Sequence, residues 1–266
     1  MTQPNPSDFA RQFAVIFTAI FQVYGSYTAG SSVGTISQEF HSLIIPATYA
    51  FAIWGPIFIL CAVYAVYQAL PVQRENPLFR AIGWWTAGAF LANGVWSYVF
   101  TNRQFIIAQA IIFVGFVCAG GAYLRFVREA PDSRATTVDN AIIGPAVGLL
   151  FGWLTAANVV GLAATLIAQG LASAGQGAEV GGAALLLLGG AIAFTVILVS
   201  RRGAASAWIG FAGAVLWALV AIVVEQRSAS TLTSAAAVAS ALLVILALLG
   251  PWQTPARPFR RPAAAV

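Results

Sequence analysis

A few aromatic and amide side chains stand inside long apolar runs of this 266-residue chain. Such side chains can hold a flat apolar molecule, because rings stack on its faces and amides form hydrogen bonds with its edge. Asn93 and Trp96 are three residues apart in FLANGVWSYVF and therefore share one face of a helix. Two further pairs of aromatic or amide side chains lie close together in sequence within apolar runs, Trp54 with Phe58 and Trp153 with Asn158. The three pairs predict a ligand pocket, and the helices that carry them must lie side by side.

These residues also have simpler interpretations, which the residue types alone leave open. An asparagine in a lipid-embedded helix must find a hydrogen-bond partner, so Asn93 and Asn158 are equally typical of contacts between helices. A tryptophan near the end of a span usually lies at the membrane surface. That position is expected for three of the eight tryptophans: Trp84, Trp85 and Trp252. The tryptophans of the three pairs lie deeper in their runs, which favours a pocket.

Residues that would support other chemistry are missing from the apolar runs. The chain has no lysine, so it cannot form the retinal Schiff base of a rhodopsin. The runs hold no Asp, Glu or Arg away from their ends, which argues against transport coupled to protons or sodium ions. No His, Cys or carboxylate cluster has the spacing of metal ligands, and no nucleophile has a visible base. We therefore expect a protein that is not an enzyme, with no metal site and no required cofactor.

The composition indicates a chain that lies in a membrane. Apolar residues make up 60 % of the sequence and charged residues 8 %, with a mean hydropathy of +0.84. A soluble domain has about 25 % charged residues, so the outer surface of this protein must face lipid. A helix needs about 20 apolar residues to cross a bilayer. Eight segments are predicted to do so: 12–30, 47–70, 81–100, 104–127, 141–169, 180–200, 205–224 and 231–250.

The arginines predict the orientation of these segments. If all eight cross the membrane, 11 of the 13 arginines fall on the side of the N terminus, and only Arg103 and Arg227 fall on the other side. Cytoplasmic loops carry the excess of positive charge, so both termini are expected in the cytoplasm, with the chain in a bacterial cytoplasmic membrane. The arginines are spread over separate loops and form no single patch, so a nucleic-acid partner is not expected.

Small and aromatic residues divide the segments into two groups. In the fifth segment Gly144, Gly148 and Gly152 form a small-residue face that lets another helix approach closely, within the fold or in a homodimer. Segments before residue 170 are rich in Trp, Tyr and Phe, whereas later ones consist mostly of Ala, Leu, Val and Gly. We therefore predict an all-α integral membrane protein with a five-helix bundle over residues 1–170 and a three-helix extension over residues 171–266. Any ligand site is expected in the bundle.

Three stretches resemble the TspO/MBR family of tryptophan-rich sensory proteins. PATYAFAIWGPIF, from Pro46 to Phe58, is similar to the family's second helix, and FLANGVWSYVF, from Phe90 to Phe100, is similar to its third. GWLTAANVVG is similar to the fifth helix. The stretches follow in the family's order on corresponding segments, so the resemblance covers about residues 12–170. The first loop departs from the family pattern, because GSSVGTISQEFHSLIIPA has one proline and no tryptophan.

The resemblance implies a pocket that opens under the first loop and binds porphyrins or other tetrapyrroles. A tetrapyrrole or a lipid is thus the expected bound molecule, and the expected partners are membrane lipids, a small apolar ligand and a second copy or a larger membrane complex. The ligand is expected to contact eight residues: His41, Tyr49, Trp54, Phe58, Asn93, Trp96, Trp153 and Asn158. The predicted function is that of a ligand-binding membrane sensor or receptor. Two alternatives stay open, a structural subunit of a larger complex, such as a photosynthetic one, and an uncoupled transporter of an apolar solute.

Overall fold

The structure is a computed structural model that describes residues 6–39, 42–129, 136–171 and 176–250. These residues form eight α-helices. The helices are α1 (Pro6–Glu39), α2 (Trp54–Ala69), α3 (Pro77–Thr101), α4 (Phe105–Glu129), α5 (Thr137–Ala168), α6 (Gln176–Ser200), α7 (Ala205–Gln226) and α8 (Thr231–Leu249). Two 3-10 helices cover Thr48–Ile53, directly before α2, and Pro71–Gln73, directly after it.

Most of these helices are suited to a membrane by their length and apolarity. Six of those in the described residues are long and apolar enough to cross one, and α1 is a seventh when its two parts, which meet at an angle of 57°, count as one span. α3 is more polar, but it packs between α1 and α4 with more than half of its residues buried, so its polar groups face protein. The prediction of an all-α integral membrane protein is confirmed.

The described helices correspond one to one with the eight predicted segments, and α1 shows the largest difference. Its predicted span ends at residue 30, whereas the helix continues to Glu39 through a stretch that was expected to be a loop. Val33 and Ile36, in this added part, are buried in a cluster with Phe100 and Phe105. Packing against α3 and α4 therefore stabilises helical turns that the local sequence does not specify.

Side-chain caps determine where several helices begin. Before α3, the side chain of Asn76 accepts a hydrogen bond of 2.9 Å from the backbone N–H of Leu78. Before α5, Thr136 and Asp139 form a capping box, in which each side chain accepts from the other residue's backbone N–H. Before α8, the side chain of Ser230 accepts a hydrogen bond of 3.3 Å from the backbone N–H of Thr233. Each cap satisfies N–H groups that have no partner within the helix itself.

The glycine face of α5 packs against α7 of the same chain. A Cβ atom built at Gly148 would overlap the backbone oxygen of Ala207 and lie 3.0 Å from the backbone nitrogen of Phe211. Gly144 and Gly152 face neighbouring positions of α7 in the same way. This contact fits the first of the two roles that were predicted for these glycines, which is close packing within the fold.

A buried ionic cluster lies at the N-terminal end of α1. Asp8 and Arg11 are only 2 % and 1 % exposed. Arg80, from α3, donates from Nε to Asp8 Oδ1 at 2.8 Å. Arg11 donates to Gln68 Oε1 at 3.0 Å and to the carbonyl oxygen of Arg74 at 2.9 Å. The sequence position of Arg11 predicts a residue beside water. In the structure, the ends of three helices enclose it.

Candidate functional site

An apolar cavity lies at the end of the protein that is opposite to the ionic cluster. It holds about 680 Å³ of space free of protein atoms, including the part that is open to the outside. Its walls come from α1 to α5, from the connection that follows α1, and from one residue of α7. The lining residues are Ser37, Ser42, Ile45, Pro46, Phe51, Trp54, Trp96, Phe100, Ile112, Trp153, Ala156, Ala157, Val160, Gly161, Ala164 and Ala218.

The three deep tryptophans meet at this cavity, although they come from three different helices. Trp54 and Trp153 contact each other edge to face, with ring centroids 6.0 Å apart and planes at 82°. Phe51 contacts Trp153 in the same manner at 6.1 Å. Trp96 stacks on Phe100, with centroids 4.9 Å apart. The rings therefore present faces and edges to one space.

The wall that α5 contributes is smooth, because small residues follow one another along it. Ala156, Ala157, Gly161 and Ala164 all line the cavity. Side chains of this size leave the space between α5 and the aromatic rings open. The cavity therefore combines an aromatic surface with a small-residue aliphatic surface.

The connection between α1 and α2 forms a further wall and is held in place by α7. The backbone N–H of Ala47 donates to the carbonyl oxygen of Ala221 at 3.1 Å. Gln226 Nε2 donates to the carbonyl oxygen of Ile45 at 2.9 Å, and Trp217 Nε1 donates to that of Ala50 at 2.8 Å. A helix that the sequence assigns to a plain extension thus positions one side of the cavity. The signal in the sequence that could have indicated this role of α7 was Gln226, an amide side chain at the end of an otherwise apolar run.

Replacing Gln226 with leucine is expected to lower the free energy of unfolding by about 1–3 kcal/mol, because it leaves the buried carbonyl of Ile45 without its donor. Thermal unfolding of the detergent-solubilised protein would measure the loss. Gln104→Leu is the matched control, since Gln104 is exposed in the short connection between α3 and α4. Equal melting temperatures for the two variants would show that α7 does not hold the connection through this bond.

The predicted asparagines do not line the cavity but connect the helices beside it. Asn93 Nδ2 donates to Gln22 Oε1 of α1 at 3.4 Å. Asn158 Nδ2 donates to the carbonyl oxygen of Ile112 in α4 at 3.3 Å, and Gln109 Nε2 donates to Asn158 Oδ1 at 3.3 Å. Both asparagines thus form the interhelical hydrogen bonds that are expected of an amide in a membrane, although Oδ1 of Asn93 is buried without a hydrogen-bond partner.

Two of the other predicted site residues, Phe58 and Tyr49, lie beside residues of the cavity wall or of α7. Phe58 is one turn below Trp54 and stacks on it, with centroids 5.1 Å apart. Tyr49 packs against the edge of Trp217 at 5.5 Å and does not line the cavity. His41 lies outside the described residues. Ala218 of α7 is a lining residue that the sequence did not indicate, because nothing distinguishes it from the neighbouring alanines.

An exposed ion pair joins α1 to the connection between α3 and α4 at this end of the protein. Arg103 donates to both carboxylate oxygens of Glu39, at 2.6 and 3.0 Å. Hydrogen bonding to Glu39 and its negative charge raise the pKa of the Arg103 guanidinium above its ordinary value. Because both side chains are well exposed, this pair contributes little to stability.

Comparison with known proteins identifies one family. The sequence model of the TSPO-like protein family matches residues 9–249, a range that includes nearly all of α1 and the seven other helices. Neither the curated proteins nor the solved structures contain a match. Among the described residues, no group of three or more His, Cys, Asp or Glu side chains has the arrangement of a metal site.

Proposed function

This chain belongs to the TSPO-like protein family, and we propose that it is a membrane receptor that binds a tetrapyrrole or a similar flat apolar molecule in the aromatic cavity. The observation that carries this proposal is the convergence of Trp54, Trp96 and Trp153 on one space. The rings bind the ligand by stacking and edge contacts, and the receptor does so without catalysing a reaction on it.

The character of the lining supports a ligand that is apolar over most of its surface. Among the lining residues that the structure describes, only Ser37, near the end of α1, and Ser42, in the connection, have hydroxyl side chains. None of the described lining residues has a charged side chain. A charged ligand would lose its hydration there without gaining a partner, whereas a conjugated ring system loses little. The few polar groups of such a ligand would point towards the two serines.

Titration with protoporphyrin IX tests the proposal through the fluorescence of the tryptophans. The wild-type protein is expected to show saturable quenching at micromolar concentrations. Trp54→Phe, Trp96→Phe and Trp153→Phe are each expected to weaken binding about threefold to tenfold, since one ring contact is worth about 0.5–1.5 kcal/mol. The midpoint of the titration, and the shift of the porphyrin absorbance, report affinity independently of how many tryptophans remain.

Trp84→Phe is the matched control, because Trp84 is 52 % exposed on α3 and does not line the cavity. Its affinity for the porphyrin should equal that of the wild-type protein. Absence of saturable binding, or the same affinity in all four variants, would contradict the proposal.

A further inference from the structure

Two serines line the part of the aromatic cavity that α1 and the following connection form. Ser37 lies in the last turn of α1, and Ser42 is the first residue of the described part of the connection. Ser42 is 3 % exposed and Ser37 is half-buried, so neither hydroxyl is fully open to water. A serine hydroxyl can donate one hydrogen bond and accept two, and a buried O–H that finds no acceptor costs free energy.

Ser42 uses its hydroxyl as an acceptor within the protein but not as a donor. Its Oγ accepts from the backbone N–H of Ile44 at 3.2 Å, and its carbonyl oxygen accepts from the N–H of Ile45 at 3.0 Å. These bonds form a turn whose last residue, Ile45, also lines the cavity. Among the described residues, no acceptor for the O–H of Ser42 lies within hydrogen-bond distance. The donor of this turn is therefore available to a molecule in the cavity.

Ser37 forms no side-chain hydrogen bond with any residue that the structure describes. Hydroxyl side chains inside a helix commonly donate to the carbonyl oxygen four residues earlier. Thr28 and Thr155 do so in this protein, at 2.9 and 2.8 Å. Ser37 lies in the same helix as Thr28 but does not donate in this way, so its O–H is a second donor at the cavity wall.

The chemistry of the two hydroxyls indicates which group they bind. Both have an unused donor, so their partner must offer lone pairs, and a carbonyl oxygen offers two. A carboxylate also accepts hydrogen bonds, but none of the described lining residues carries a charge that would compensate for its lost hydration. A neutral carbonyl oxygen is thus the group that suits this wall best.

We propose that Ser37 and Ser42 donate hydrogen bonds to a neutral carbonyl group on the ring system that occupies the aromatic cavity. This inference rests on the proposed function and narrows it, since the ligand class becomes a flat apolar ring that carries a ketone, ester or amide at one edge. Contacts with the aromatic rings hold the ligand whether or not it has this group. The serines then determine which edge of the ligand faces the connection.

Two metal-free porphyrins test this inference: the dimethyl ester of protoporphyrin IX, which has ester carbonyls, and etioporphyrin I, which has only alkyl substituents. In detergent, Ser42→Ala and Ser37→Ala are each expected to weaken binding of the ester about threefold to tenfold, the effect of one hydrogen bond. Neither variant should change the affinity for etioporphyrin I by more than about twofold. Each porphyrin is compared between proteins, so its partition into detergent cancels. Absorbance titration measures all affinities.

Ser234→Ala is the matched control, because the Ser234 hydroxyl in α8 is also buried without a partner but does not line the cavity. It should bind both porphyrins as the wild-type protein does. Ser37→Ala breaks no hydrogen bond of the described protein, so it decides the question if Ser42→Ala fails to fold. A folded variant of either serine that binds the ester as tightly as the wild-type protein, or that weakens both porphyrins equally, would overturn the inference.

The two proposals fail in different ways in this experiment. If the wild-type protein binds neither porphyrin, the proposed function itself is wrong. If it binds both porphyrins and the serine variants do not distinguish them, the receptor function stands and the serines do not recognise a carbonyl group.

Discussion

Replacing Gly148 with valine is expected to lower the free energy of unfolding by about 3 kcal/mol or more, the upper part of the range for overpacked sites. The new Cβ atom would overlap the backbone oxygen of Ala207 and lie 3.0 Å from the backbone nitrogen of Phe211. A side chain in such a position could rotate away, but backbone atoms inside a helix cannot. α7 would therefore have to move away from α5 along the glycine face.

Separation of these helices should also weaken ligand binding, because α7 holds the connection that lines the aromatic cavity. Thermal unfolding and protoporphyrin titration of the same preparation would measure both effects. Gly181→Val is the matched control, since its side chain has open space and carries the same helix-propensity change. If Gly148→Val melts within a degree of that control, the close packing of α5 on α7 is not needed for stability.

The positions of the helices could be predicted from hydropathy and charge because lipid imposes a fixed length on each span. The helical state of α1 from Val33 to Glu39 could not be predicted in this way, since it depends on burial against Phe100 and Phe105. The same limit applies to Arg11. Its charge and its place before an apolar run predict a residue beside water, and only the arrangement of α2 and α3 shows that it is enclosed.

The candidate site shows how far residue spacing can be used. Trp54, Trp96 and Trp153, which come from three separate apolar runs, line one cavity. Asn93 and Trp96 are three residues apart, which corresponds to a difference in direction of about 60° around a helix. That angle is enough for Asn93 to reach α1 while Trp96 lines the cavity. Spacing therefore indicates a shared side of a helix but not a shared neighbour.

The contribution of α7 to the site could not be predicted from single residues. Its sequence is mostly Ala, Leu and Val, which specify a membrane span but no particular partner. The bonds from Gln226 to Ile45 and from Trp217 to Ala50 join positions more than 160 residues apart in sequence. The TSPO-like family match also extends over α6, α7 and α8, so these helices belong to the region that defines the family.

Replacing Asp8 with asparagine is expected to lower the free energy of unfolding by about 3–5 kcal/mol, the range for removing one partner of a buried ion pair. Asparagine keeps the shape of the side chain but carries no charge. The buried guanidinium of Arg11 and that of Arg80 would then face each other at the end of α1 without the anion between them. Arg80 is partly exposed and can turn towards water, whereas Arg11, at 1 % exposure, cannot.

Glu39→Gln is the matched control, since it makes the same acid-to-amide change in the exposed pair with Arg103 and should cost about 1 kcal/mol or less. The double variant Asp8→Asn, Arg11→Met separates charge from packing, because methionine removes the uncompensated cation and keeps most of the buried volume. It should be more stable than Asp8→Asn alone. Chemical or thermal unfolding of the four proteins measures these differences. If Asp8→Asn costs no more than Glu39→Gln, or if Arg11→Met restores nothing, then Asp8 does not stabilise the fold by compensating the buried charge of Arg11.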